Sequence, residues 1–263
     1  MKKAIHETAI VSPGAKLGDE VIIGPYSVVG ENVTIGGNVE LGSHVVLGGE
    51  TSIGDGCKIF PFVSLGMRSQ DLKDISTTGK LIIGKNTIIR EYVTMNTGTP
   101  NGGGVTSVGN NCMFMAYTHV AHDCHVGSDV IMSNVATLAG HVTVGDFVII
   151  GGLAAVHQFV RIGSHSFIGG GTMVQMDIAP FMSASFTEGH RGAKLIGPNA
   201  IGLERRGFSP ETIANIKKAY KIIWRSKKLL EAALSEVENE LGRSDEIRFL
   251  VEFIRASKRG IAR

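Results

Sequence analysis

Large aromatic residues are scarce in this chain, with one Trp, four Tyr and eleven Phe among 263 residues. A core with so few rings must pack small aliphatic side chains instead. Cysteine is equally sparse: Cys57, Cys112 and Cys124 are odd in number and far apart, so they provide no disulfide framework. No run of 18 apolar residues occurs, which excludes a membrane-spanning helix. The opening MKKAIHETAIVSPG lacks the apolar stretch of a secretory signal, and the expected location is the cytoplasm. A net charge of +2 is too small to point to nucleic acid. Phosphate-loop, dinucleotide and CxxC motifs are missing, and "NGGG" at 101–104 reads as a flexible turn. What abounds is glycine, at 35 residues.

The glycines follow a rule. Stepping by six from Val11 meets Leu17, Ile23, Val29, Ile35, Leu41, Leu47, Ile53, Ile59 and Leu65, usually with glycine next. The pattern resumes at Ile83, Ile89 and Met95, then runs from Val108 to Val174. A hexad repeat is the mark of a parallel β-helix, each hexad one short strand plus a corner. Side chains two apart share a face, so the aliphatic column and a small-residue column before it point inward. The glycines are expected to serve the corners by adopting positive φ. Three hexads make one coil, stacking residues 18 apart at about 4.8 Å. Polar interruptions at about 67–80 and 97–106 are loops leaving the solenoid, where function concentrates.

The hexads stop near residue 180. From Phe208 the chain reads as helix, with Ser209 as N-cap, Pro210 in the first turn, Gly242 as a stop and Ser244 as a second cap. The expected division is a β-helix over 1–190 and a helical domain over 191–263.

"THVAHDCHVG" at 118–127 holds His119, His122 and His125 beside Asp123 and Cys124. The hexad frame puts Cys124 inward with Cys57 and Cys112, as small core residues. His119 and His125 point outward, and His122 falls at a corner. One and two coils on, His141 and His157 fall near the same edge, which predicts a ladder of three histidines with Asp123 orienting the first. Two chemistries suit it: zinc on three histidines, or a histidine base in acyl transfer. A ladder over three coils does not converge on one metal ion within a chain, which favours the base.

With the hexads, "HVAHDC", "TLAGHV", "AVHQF" and "GLERRGFS" in hand, the sequence closely resembles the UDP-N-acetylglucosamine O-acyltransferases that begin lipid A biosynthesis, nearly end to end. The resemblance implies an all-β left-handed parallel β-helix (the hexapeptide-repeat solenoid) with a C-terminal α-helical domain. It implies a homotrimer with sites between subunits, without a cofactor or resident metal. The reaction implied moves an (R)-3-hydroxyacyl chain from acyl carrier protein to the 3-position of UDP-N-acetylglucosamine. By position, His122 becomes the general base, Asp123 its support and the Gly140 N–H the oxyanion donor. His119, His141, His157 and Gln158 would contact sugar, diphosphate or thioester. Gln70, Asp71 and Lys73 match residues holding nucleotide sugar and acyl chain, Asn199 and Arg205 match uridine-nucleotide contacts, and Gly170 matches a limit on acyl depth. Asn96 and Ile201 depart from the pattern, where a histidine and a glutamate are usual, and some relatives acylate a 3-amino sugar. The basic residues Arg205, Arg206, Lys217, Lys218, Arg225, Lys227 and Lys228 suit an acidic carrier protein or a solvated face. The later N-acyltransferase of the same pathway usually carries an extra N-terminal domain, and hexads starting by residue 9 leave no room for it.

Overall fold

Pairs of residues build this molecule. The computed structural model describes residues 4–73, 78–189 and 192–263, and most of its strands are two residues long, ending on a hexad aliphatic residue. Three strands complete a coil, so Ile22–Ile23 pairs in parallel with Glu40–Leu41 directly above. Three sheets of 11, 9 and 8 strands run along a triangular prism. Their first strands are Ala4–Ile5, Ile10–Val11 and Lys16–Leu17, and these define the first, second and third faces. The coil is a left-handed parallel β-helix followed by α-helices. The boundary expected at 190/191 lies outside the described residues.

The inward columns form one continuous core from Val21 to Ala184, and Cys57, Cys112 and Cys124 lie in it fully buried. Each thiol donates to a carbonyl, Cys124 Sγ to Ala139 O at 3.1 Å. Burial pushes the Cys124 thiol up to about 12, so it is no nucleophile at neutral pH.

The corners depart from expectation. Apart from Gly66, at φ 76°, the glycines after the aliphatic residues do not supply the positive φ. A Cβ on Gly18 would stand 2.6 Å from the Gly36 carbonyl carbon, and one on Gly24 2.6 Å from Gly42 O. Close stacking of successive coils is what requires them. The left-handed conformation falls two residues later, on side-chain-bearing residues such as Tyr26, Asn38, His44, Asp123 and His141. Each such residue costs about 1–2 kcal/mol, partly offset by stacking on its counterparts. Along the edge between first and second faces, Tyr26, His44, Phe62, Tyr92 and Tyr117 stack with centroids 4.7–5.1 Å apart. Exposed Val135 and Leu153 continue that edge.

Along the edge between third and first faces, each corner amide bonds the side chain one coil above. Lys85 N–H donates to Asn110, Asn110 to Ser128, Ser128 to Asp146 and Asp146 to Ser164. Backbone donors that the sheets leave over are thereby satisfied.

At the C-terminal end, Met182–Ser185 and Lys194–Pro198 form the one antiparallel pair among the described strands. Four α-helices follow among the described residues: α1 (Ala200–Arg205), α2 (Pro210–Tyr220), which runs on into a π-helical turn at Lys221–Arg225, α3 (Leu230–Leu241) and α4 (Asp245–Arg255). Ser209 caps α2 by accepting the Thr212 N–H, and α3 stops at Gly242. The Ser244 hydroxyl does not cap α4 but donates to Glu246. The α4 face of Ile247, Leu250, Val251 and Ile254 is buried, and Ile261 bridges Asp177 at the end of the prism. The helical segment therefore covers the last coil. No described helix is long and apolar enough to cross a membrane.

Candidate active site

The edge between second and third faces differs from the other two. Its corner column reads Asp123, His141 and Phe159, all left-handed, with φ of 58°, 63° and 64°. His122 stands one residue before Asp123. Its ring meets the His141 ring edge-on at 5.0 Å, and His141 stacks flat on Phe159 at 4.4 Å. The third rung expected to be His157 is therefore Phe159. His157 falls two residues earlier in its coil, is exposed, and its Nδ1 lies 3.3 Å from Arg259 Nη2.

Asp123 is buried although it is an acid. Its Oδ2 accepts from His122 Nδ1 at 2.8 Å and from the Thr99 hydroxyl at 2.6 Å, while Oδ1 accepts the Thr99 N–H at 2.9 Å. Its own N–H donates to Thr106 Oγ1 at 2.8 Å. Burial raises the carboxyl's pKa, but the Thr99 and His122 hydrogen bonds outweigh it and hold the group below its ordinary value. An ionised carboxylate only accepts, so His122 carries its proton on Nδ1 and turns an Nε2 lone pair outward.

Thr99 and Thr106 flank the second loop, and sequence reasoning passed over both. Gly102 lies against the carboxylate, where a Cβ would come within 2.1 Å of Asp123 Oδ2. Of "NGGG", Gly102 alone packs on Asp123 and is required by that contact, while Gly103 and Gly104 turn through positive φ with open space around them.

Gly140 lies one coil above His122. A Cβ there would be 2.6 Å from His122 Cε1 and 2.7 Å from Nε2, so glycine lets the imidazole lie on the backbone. Among the described residues nothing accepts the Gly140 N–H. His119, half-buried on the second face, bonds Thr94 Oγ1 through Nδ1 at 2.7 Å. Burial and then nearby His122 lower its pKa, against the Thr94 contact. His141 is lowered first by burial, with Asp123 and Asp71 opposing. The first loop thus brings Asp71 into the field of the site, although Gln70, Asp71 and Lys73 are exposed. Gln158, in register with His122 and Gly140, is exposed too.

His122, Asp123 and His141 also have ligand atoms within 4.8 Å of one another, the spacing a metal ion needs. Asp123 Oδ2 already accepts from both His122 and the Thr99 hydroxyl, so the donor set suits a fixed acid–base pair.

The remaining candidates lie elsewhere. Asn199 and Arg205 line a groove of about 620 Å³ between α1 and the first face, with Ile149, Phe167, Ile201 and Arg206. Asn199 caps α1 through Oδ1 and donates to His165 O, which leaves Arg205 and Arg206 as the groove's cations. Gly170 sits between Gly169 and Gly171 at the first-to-second edge. Asn96 is buried and donates to Met67 O and Arg68 O. The candidate residues therefore fall into two groups on the chain, the His122 edge and the Arg205 groove.

Residues 177–262 match the family described as "Udp N-acetylglucosamine O-acyltransferase; Domain 2", and residues 14–49 match "Bacterial transferase hexapeptide (six repeats)". The chain is similar to the acyl-[acyl-carrier-protein]–UDP-N-acetylglucosamine O-acyltransferase of Thermodesulfovibrio yellowstonii, 51% identical over 98% of this chain and 99% of that one. A counterpart in Myxococcus xanthus is 48% identical over the same shares. Among solved structures, the UDP-N-acetylglucosamine acyltransferase of Francisella novicida superposes with a TM-score of 0.95 at 39% identity, covering 98% of this chain and 94% of that one. The enzyme of Bacteroides fragilis gives 0.94 at 41% identity, covering 98% and 100%. Coil and helical segment are thus matched together, nearly end to end, by proteins of one kind, and the chain belongs to the UDP-N-acetylglucosamine O-acyltransferase family.

Proposed function

We propose that the protein transfers an (R)-3-hydroxyacyl chain from the thioester of acyl carrier protein to the 3-position of UDP-N-acetylglucosamine, the first step of lipid A biosynthesis. The observation that carries this reading is the His122–Asp123 pair, with Nε2 free and placed beside an unused backbone donor at Gly140. His122 Nε2 takes the proton of the 3-hydroxyl as its oxygen attacks the thioester carbonyl. Asp123 holds the imidazolium that forms, and the Gly140 N–H binds the oxyanion. Collapse breaks the C–S bond, and the imidazolium returns its proton to the departing thiolate. His119, His141, His157 and Gln158 bind sugar, diphosphate and thioester arm, with Gln70, Asp71 and Lys73 reaching in from the first loop. Arg205 and Asn199 hold the nucleotide, the guanidinium on phosphate. Gly170 leaves the acyl groove open at its far end.

Two half-sites on one chain argue for assembly. The stacked edge from Tyr26 to Leu153 is apolar and exposed, as cyclic oligomer interfaces require before they close. Three prisms meeting along it leave wedge-shaped clefts. Each cleft is walled by the first face of one protomer, with its Arg205 groove, and the second face of the next, with His119 and the His122 edge. The homotrimer so formed completes three sites in the cytoplasm. The test is a transfer assay with UDP-N-acetylglucosamine and its 3-amino analogue against acyl carrier protein thioesters of graded chain length. Transfer to the 3-hydroxyl sugar supports the reading. Transfer to the amine alone corrects the acceptor, and no transfer to either refutes it.

A further inference from the structure

Thr99 does more than close a loop. Three donors converge on the Asp123 carboxylate, and two of them, the N–H and the hydroxyl, belong to Thr99. Thr99, Asp123 and Thr106 are all buried, so water does not replace these contacts. Gly102 closes the same pocket from the loop side, because only a residue without Cβ fits against the carboxylate. Thr99 Oγ and His122 Nδ1 share one acceptor atom, Asp123 Oδ2. How much negative charge Asp123 offers the imidazole, and in what direction, therefore depends on Thr99.

We infer that Thr99 is a positioning residue for acyl transfer: it clamps the Asp123 carboxylate in orientation and partial charge, and thereby fixes His122 in the Nδ1–H tautomer with Nε2 toward the acceptor hydroxyl. The relay runs Thr99, Asp123, His122, from the second loop to the reacting atom, and it rests on the acyl-transfer reading above. Its physical basis is that hydrogen bonds to a carboxylate compete for its electron density. Removing the hydroxyl leaves Asp123 a stronger partner for the imidazolium and a looser one in orientation. The first effect raises the pH at which the base becomes available, and the second lowers the rate. The titratable groups around His122 are Asp123 beside it, His119 on the preceding strand and His141 one coil on. Asp71 and His125 act on His141. Of these groups Thr99 bonds Asp123 alone, so a change at Thr99 reaches His122 through that carboxylate.

The test compares wild type, Thr99→Val and Thr99→Ser in the transfer assay across pH, beside 15N NMR of histidine-labelled enzyme. Thr99→Val is expected to lose about tenfold to a hundredfold in kcat with little change in KM. Its acid limb should move up by about half a unit to one unit, and its His122 signal should show mixed tautomers. Thr99→Ser keeps both donors and should restore rate, limb and the Nδ1–H signal. A folded Thr99→Val with wild-type rate, limb and tautomer overturns the inference, as does a Thr99→Ser as impaired as Thr99→Val. An inactive wild type would sink the acyl-transfer reading instead, and the NMR arm would still report whether Thr99 governs the tautomer.

Discussion

Replacing Gly140 with alanine is the most local perturbation of the proposed catalytic centre. A Cβ at this position would stand 2.6 Å from His122 Cε1 and 2.7 Å from Nε2. An ordinary contact begins near 3.4 Å, so the ring must retreat by about 0.8 Å. Its bond to Asp123 is 2.8 Å long, and such a shift takes it past the usual limit of about 3.2 Å. Loss of a charge-assisted bond is worth about 1.5–3 kcal/mol, and a misdirected general base forfeits about 10²–10⁴ in rate. These overlap, since the bond is what directs the base, so the expected loss in kcat/KM is about 10²–10³. Gly140 does not adopt positive φ, so alanine brings no backbone strain and Tm should stay within a few degrees. The assay is acyl transfer from the carrier-protein thioester, with thermal unfolding as control. A folded Gly140→Ala enzyme within threefold of wild type would refute the placement of His122 against Gly140.

Two further outcomes follow from the same geometry. If each site is shared, co-refolding inactive His122→Ala with inactive Arg205→Ala should restore about a quarter of wild-type activity per site, since one interface in four then joins two intact halves. Mixed trimers without activity would place both residues in one protomer's site. Asp123 has a folded pKa below its ordinary value of 3.8, so its stabilising effect is complete above that value and lost as pH falls through the lower folded one. The difference in Tm between wild type and Asp123→Asn should therefore shrink as pH falls below about 4. A difference that grows as pH falls below about 4 would contradict the ionised carboxylate.

The prism was legible in the sequence because every coil repeats one constraint, an inward apolar residue each sixth position, obeyed in the runs Val11–Leu65, Ile83–Met95 and Val108–Val174. Cys124 was placed in the core by the same count. The corners were misread, because positive φ was assigned to glycines whose real constraint is the approach of the next coil, as at Gly18 and Gly24. His157 was misplaced by a two-residue offset within its coil, which decides that Phe159 and not His157 stacks on His141. Thr99, Thr106 and Gly102 were hidden because a loop has no period, and only the folded chain shows that it returns to Asp123. Helix α1 and the antiparallel pair lie in a stretch where the hexads have ended and no strong helical period has begun. Arg205 lines a groove at the first face while His122 stands at the edge between second and third faces, and no motif in the sequence reports that placement.

As proposed above, His122 is the general base of acyl transfer to UDP-N-acetylglucosamine. The most direct measurement is the single-turnover rate of wild type against His122→Ala, with acyl carrier protein thioester and the sugar nucleotide both bound. Wild type should transfer the chain, and the variant should lose about 10²–10⁴ in rate with nearly unchanged binding of both substrates. A variant within a few-fold of wild type, or a wild type that binds both substrates and transfers nothing, would contradict it.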